Sequence, residues 1–162
     1  MKVARKSPTN YILLFAFTAC WTFIIGAISA QYDPNTVLTA ALLTAAITVT
    51  LSIYACFTKT DFTEICGPFL CFGMMIIVTM SITMSIICWS TFDYPEWWYP
   101  FSGGIGAILY GMFLLYDTQM IVGGRKYELS IDDYIVGALI LYIDIIMIFL
   151  ELLKVFGGSG DN

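Results

Sequence analysis

The stretch from Tyr134 to Phe156, YIVGALILYIDIIMIFLELLKVF, decides the fold. It is long and apolar enough to cross a bilayer as one helix, which takes about 20 residues. It also carries Asp144 near its middle and Glu151 seven residues further on. A carboxylate at the centre of a bilayer costs roughly 2.5–3.5 kcal/mol on insertion scales, so it turns toward protein or water rather than lipid. The segment is therefore expected inside a helix bundle, with its acid facing a partner or holding a proton. The nearest acid in the preceding apolar stretch is Asp117, in LLYDTQ.

Composition agrees with this reading. Of 162 residues, 59 % are hydrophobic and 12 % charged, with a mean hydropathy of +0.84. Soluble domains carry about 25 % charge. The deficit, with several uncharged runs long enough to span, gives an all-α polytopic membrane protein. Twelve acids against seven bases leave a net charge of −5, and there is no histidine. That balance lacks the basic face of a nucleic-acid binder and leaves carboxylates as the proton-responsive groups. No nucleophile–base pair, zinc set or phosphate loop stands out, so neither an enzyme nor a bound metal or cofactor is expected. The five cysteines (Cys20, Cys56, Cys66, Cys71, Cys88) lie in or beside apolar segments without a Cys-x-x-Cys pair, and read as small, buried, reduced thiols.

Five spans are predicted, at about 11–30, 36–57, 65–92, 101–122 and 134–156, between a cytosolic segment 1–10 and a flexible tail 157–162. MKVARKSPTN is not a signal peptide, because the apolar run after it is too long and has no cleavage site. Asp33-Pro34-Asn35 marks a tight turn, and TKTDFTE (Thr58 to Glu64) a short polar loop. Methionines 74, 75, 80 and 84 read as packing filler in the third span. Trp97, Trp98 and Tyr99 suit an interface anchor. Gly103, Ala107 and Gly111 form a small-xxx-small row for close helix packing. Ser130 is a candidate N-cap ahead of the last span, with Asp132 and Asp133 as first-turn acids.

Six bases (Lys2, Arg5, Lys6, Lys59, Arg125, Lys126) fall on the starting side of these spans and one, Lys154, on the other. The positive-inside rule makes the starting side cytosolic. Asp117 then lies roughly 8 Å and Asp144 roughly 15 Å below that face, at 1.5 Å per residue. A short linker makes the last two spans antiparallel neighbours, so tilt and side-chain reach can bring the acids together. Two close carboxylates in apolar surroundings do not both ionise cheaply, so one titrates toward neutrality. A shared proton would then act as a pH-dependent latch. Alternatively, each acid accepts hydrogen bonds separately from nearby hydroxyls, and spacing alone does not choose between the two. Glu151 shares a helical face with Asp144 but lies nearer the far end, where it continues an ion path or pairs with Lys154.

The run LYGMFLLYDTQMIVGGRKYELSIDDYIVGALILYIDIIMIFLELLKVFG resembles the C-terminal signature of the transmembrane Bax-inhibitor-motif superfamily, in its lifeguard branch. KSPTNYILL, TKTDFT, GPFL and YDTQ match at the expected places. The resemblance implies a helix bundle of seven spans, of which five are present here, with the last helix central. It also implies a pH-sensitive calcium leak of internal membranes, linked to calcium homeostasis and protection from cell death. The endoplasmic reticulum or Golgi is the implied site, with the plasma membrane as an alternative. Asp117 and Asp144 match the family's paired sensor aspartates. Arg5, in Val3-Ala4-Arg5-Lys6, stands where some relatives supply an arginine partner. Met147 replaces a usual asparagine, and Trp21 stands where many relatives have glutamate. Calcium is thus the implied permeant ion and the lipid bilayer the surroundings.

A second reading is a non-conducting interaction protein that associates with full-length relatives or cell-death regulators. The two spans that the chain lacks relative to the family favour it, and imply an oligomer or a longer partner covering the flank of Asp144. Whether the last segment crosses the membrane or is re-entrant stays open at this level. The charge bias predicts that a tag at residue 1 is digested by protease added to sealed, right-side-out microsomes. Protection of that tag would refute the orientation, and a tag at residue 162 separates crossing from re-entry.

Overall fold

Single polar residues set where the helices begin. The Asn35 amide donates to Asp33 Oδ2 at 2.9 Å, and Pro34 takes the first helical position, where no donor is needed. The second helix therefore starts two residues earlier than its apolar run suggests. A computed structural model describes residues 8–91, 95–130 and 133–157. Its helices are α1 (Thr9–Ser29), α2 (Pro34–Phe57), α3 (Phe62–Ile65), α4 (Gly67–Thr91), α5 (Trp98–Val122) and α6 (Tyr134–Gly157), and no strand occurs among the described residues. The predicted TKTDFTE loop thus contains a short helix, capped by Asp61, which accepts the Thr63 amide at 3.0 Å. α5 takes in Trp98, Tyr99 and Pro100 of the aromatic anchor, because proline is tolerated in a first turn.

Five of these helices are long and apolar enough to cross a membrane. Large side chains point outward along them: Phe15, Phe23 and Phe57 are 70 %, 79 % and 83 % exposed. In water such a surface would aggregate. In a bilayer it is the lipid contact, and the chain is an integral membrane protein. Seven helical threonines are satisfied within their own helices. The Thr18, Thr22, Thr39, Thr44, Thr79, Thr83 and Thr118 hydroxyls each donate to the carbonyl four residues back, at 2.6–2.8 Å.

The bundle is built on α5 and α6, packed antiparallel. α2 lies against both, α4 against α5, and α1 against α6. Ala40, Leu114, Ile148, Leu152 and Leu153 form the core where α2, α5 and α6 meet. α6 runs the full height of the bundle. At its start Asn10 Nδ2 donates to the Tyr134 hydroxyl at 3.2 Å, and at its end Gly157 lies against the Tyr32 ring in the α1–α2 turn. Its 24 residues reach about 36 Å at 1.5 Å per residue. That is long enough to cross a membrane.

Two expectations are corrected. Of the methionine row on α4, Met75 and Met80 are 63 % and 44 % exposed and Met74 and Met84 half-buried, so only part of it packs between helices. Among the cysteines, all free, only Cys88 is buried; Cys20, Cys56 and Cys71 face outward. The Ser130 carbonyl accepts the Asp133 amide at 2.8 Å, one residue before α6 begins at Tyr134. Asp132 lies outside the described residues, as do residues 1–7 and 158–162.

At the end where α1 starts, the two polar connectors lock together. Gln119 is 1 % exposed. Its Nε2 donates to the Thr60 carbonyl at 3.0 Å, and its Oε1 accepts the Phe62 amide at 2.9 Å. Arg125 Nη2 donates to the Thr58 carbonyl at 2.6 Å, and Lys126 pairs with Glu64. Gly123 and Gly124, at φ 80° and 72°, make the left-handed exit from α5 that this approach requires. Asp61 accepts from the Thr63 hydroxyl and amide and from the Lys126 amide, which together hold its carboxyl below the ordinary 3.8. A depressed carboxylate stabilises the fold above its unfolded-state value, so the clasp is intact at neutral pH. It weakens only as pH falls through the depressed value.

Replacing Gln119 with Leu strands the Phe62 amide and the Thr60 carbonyl. Unfolding of the purified chain in detergent should show a loss of roughly 1–3 kcal/mol. A change within about 0.5 kcal/mol, usual for an indifferent surface site, would mean that the connector is held by packing alone.

Candidate functional site

Residues seven apart share one face of a helix, and two such rows face each other along α5 and α6. On α5 the row is Gly103, Tyr110 and Asp117. On α6 it is Gly137, Asp144 and Glu151. The glycines let the helices approach. A Cβ at Gly103 would stand 2.7 Å from the Glu151 carbonyl oxygen, and one at Gly137 would stand 3.3 Å from Ile121. Between these close approaches lie the polar groups.

Asp117 and Asp144 come together there. Their carboxyl groups face across the seam within reach of a shared hydrogen bond, and the residues are 8 % and 6 % exposed. Side chains on a helix lean toward its N-terminus. In an antiparallel pair the two acids therefore lean toward each other, which closes the difference in depth. A bond between two carboxyl groups needs one of them to keep its proton. Asp144 Oδ2 is buried with no hydrogen-bond partner. Tyr116 lies within electrostatic reach of Asp117, and Tyr110 within reach of both Asp144 and Glu151. Among the described residues neither aspartate forms an ion pair.

Glu151 is 7 % exposed. Its Oε1 accepts from Lys154 Nζ at 2.8 Å, so the pairing weighed from sequence exists. Its carboxyl group also rests on Gly106, where a Cβ would lie 2.6 Å from Glu151 Cδ. The sequence row Gly103, Ala107, Gly111 does not act as one face. Gly103 meets α6, Ala107 packs on the core, and Gly111 meets Leu51 of α2. Gly106, outside that row, makes the tighter approach. Arg5 lies outside the described residues. Among the described residues no three acid, cysteine or histidine side chains group closely enough to hold a metal ion.

Sequence reading overlooked Tyr110, Gly106 and Gln119. The seven-residue spacing of Tyr110 to Asp117, matched by that of Asp144 to Glu151, was the available signal for the first. The spacing says only that residues share a face, and the partner of that face comes from tertiary packing.

The family described as inhibitor of apoptosis-promoting Bax1 matches residues 1–161. The chain belongs to this Bax-inhibitor family. It is 40 % identical over 156 residues to protein lifeguard 3 of Homo sapiens, covering 96 % of this chain and 49 % of that protein. Protein lifeguard 3 of Mus musculus is 37 % identical over 154 residues, 95 % of this chain and 49 % of the relative. Protein lifeguard 4 of Mus musculus is 34 % identical over 147 residues, 91 % of this chain and 57 % of the relative. The chain thus spans about half the length of the curated relatives it matches.

Gly106→Val tests the close approach at Glu151. The added methyls overlap a carboxylate held on its other side by Lys154, so the seam must separate. Overpacking of this kind costs typically 1–3 kcal/mol, read as a lowered unfolding midpoint in detergent. Gly104→Val, where a Cβ has open space, is the control and should leave the midpoint unchanged.

Proposed function

We propose that this chain is a pH-sensitive, calcium-permeable leak of intracellular membranes, in the endoplasmic reticulum or Golgi, serving calcium homeostasis and the inhibition of apoptosis. The meeting of Asp117 and Asp144 inside an apolar bundle carries the reading. With one proton between them the pair carries a single shared charge, and α5 and α6 stay joined at mid-height. When that proton leaves, two like charges face each other away from water. Parting the helices or admitting a cation relieves the repulsion, and calcium, a hard ion that takes oxygen ligands, suits two carboxylates. The leak is therefore closed in acid and open as the pH rises. Among the described residues, Tyr116 lies within electrostatic reach of Asp117 and Tyr110 within reach of Asp144. The link to apoptosis rests on the description of the family.

Calcium flux into proteoliposomes between roughly pH 6 and 8, the range into which a buried carboxylate can be moved, tests the latch. Flux through the wild-type chain should rise with pH. Asp117→Asn and Asp144→Asn should each abolish the pH dependence, because one charge has nothing to repel. The double variant should add little, since the two acids act as a unit. Glu151→Gln should keep the pH response. If Asp117→Asn keeps it in full, the shared proton is wrong. A wild-type chain silent alone and beside a longer relative sinks the leak and leaves the interaction-protein reading.

A further inference from the structure

The two ends of the α5–α6 seam are held by different means. At the linker end the chain is bonded to itself and to its neighbours. The Leu129 amide donates to the Met120 carbonyl at 2.8 Å, and the Gly124 amide to Glu128 Oε2 at 2.9 Å. Gln119, wholly buried in the last turn of α5, bonds the Thr60 carbonyl and the Phe62 amide. Arg125 Nη2 donates to the Thr58 carbonyl at 2.6 Å and Nη1 to the Lys59 carbonyl at 3.3 Å. The Lys126 amide donates to Asp61 Oδ2 at 3.0 Å. The start of α6 packs on the same turn, since a Cβ at Gly137 would stand 3.1 Å from Leu129 and 3.3 Å from Ile121. Beyond the acid pair the helices meet through glycines instead. Gly103 lies against the Glu151 carbonyl and Val155, and Gly106 against the Glu151 carboxyl group, whose Oε1 is bonded to Lys154 of its own helix.

The bonded end keeps its charges where the acid pair changes its own. The Thr63 hydroxyl and the Lys126 amide hold Asp61 below the ordinary carboxylate value, and Glu64 holds the Lys126 ammonium above its own. Both stay charged between roughly pH 6 and 8, and neither the Gln119 amide nor the Arg125 guanidinium titrates there. A buried carboxylate can be moved into that range. α1, α2 and α4 carry no Asp, Glu, Lys or Arg. Near the pair on α5 and α6 the titratable groups are Tyr110, Tyr116 and Glu151, the last matched by Lys154. Asp117 and Gln119 are two residues apart, about 200° around α5. One grips the connector while the other faces the seam.

We propose that the linker end of the seam is a fixed pivot, with Gln119 as its positioning residue, so that repulsion between Asp117 and Asp144 swings α5 and α6 apart at the Gly103–Gly106 end. The pivot rests on the leak reading above and adds where the seam opens. Asp117 is about 8 Å from the end of α5 at Val122, and Gly103 about 28 Å, at 1.5 Å per residue. A parting of the acids is therefore magnified roughly fourfold at Gly103 by the same rise. Without the grip of Gln119, the turn that carries Asp117 turns aside locally, and the repulsion is spent there rather than at the far end.

The experiment uses the full chain in nanodiscs, its five cysteines replaced by alanine, with spin labels on two pairs of introduced cysteines. The far pair is Gly104→Cys, where a side chain has open space, with Gln31→Cys in the turn that Gly157 abuts. The near pair is Val122→Cys with Ala138→Cys, both exposed. Raising the pH from roughly 6 to 8 should lengthen the far separation and leave the near one unchanged. In Gln119→Leu the near separation should broaden and the far lengthening disappear. Calcium flux in proteoliposomes, taken as the ratio of high-pH to low-pH rates, should fall about tenfold in that variant, the order of the bonds lost. Arg125→Gln, which leaves Gln119 in place, should act in the same direction and keeps the test open if Gln119→Leu fails to fold. Tyr127→Phe, on an exposed linker side chain, should behave as wild type. A near pair that lengthens as much as the far pair overturns the pivot. So does a flux that responds to pH while neither pair moves, or a wild-type flux ratio in both clasp variants. If the far pair lengthens and no calcium passes, the pivot stands and the leak fails. A chain that neither moves nor conducts overturns both.

Discussion

A carboxylate cannot rest against hydrocarbon, and this chain carries three of them deep in its last two helices. That constraint organises the bundle. Asp117, Asp144 and Glu151 can be buried only if α5 and α6 face each other along the rows that hold them, and glycines at both ends of the seam allow the approach. The other helices follow. α2 lies over the seam with small residues and threonines, α4 lies behind α5, and α1 packs on α6. α1 and α4 have no such acids, and correspondingly little of either is buried.

The acids are treated differently along the seam. Glu151 has a lysine one turn away and a glycine beneath it, so its charge is matched within α6 itself. Asp117 and Asp144 have each other. A pair of like groups is satisfied only while a proton is present, whereas an ion pair is satisfied without one. The two ends of the seam therefore differ: the acid pair needs a proton to be satisfied, and Glu151 does not.

The rim of the bundle bears on the first of these. Gln119 is two residues from Asp117 and is wholly engaged with the α2–α3 connector. Through it the turn of α5 that carries Asp117 is tied to Asp61, Arg125 and Lys126. The YDTQ run thus serves two faces at once. Its aspartate faces the seam, and its glutamine faces the connector.

Much of this was legible in the residues. A long apolar run with a central acid has one physical solution, a helix inside a bundle, and α6 is that helix. Span number and class followed from length and charge, because an uncharged run of such length has nowhere else to go. That Asp117 and Asp144 could meet also followed, since a short linker makes its flanking helices antiparallel. Other features did not follow. Proline and aspartate moved the helix starts, because caps are set by single side chains rather than by apolar content. The outward methionines and cysteines were misjudged because hydrophobicity cannot distinguish a core face from a lipid face when both are apolar. Which glycine touches which helix, and that Thr48 alone among the described helical threonines has a buried hydroxyl without a partner, depend on the rotation of each helix against its neighbours. Sequence sets the faces of a helix; only packing against the others decides what each face meets.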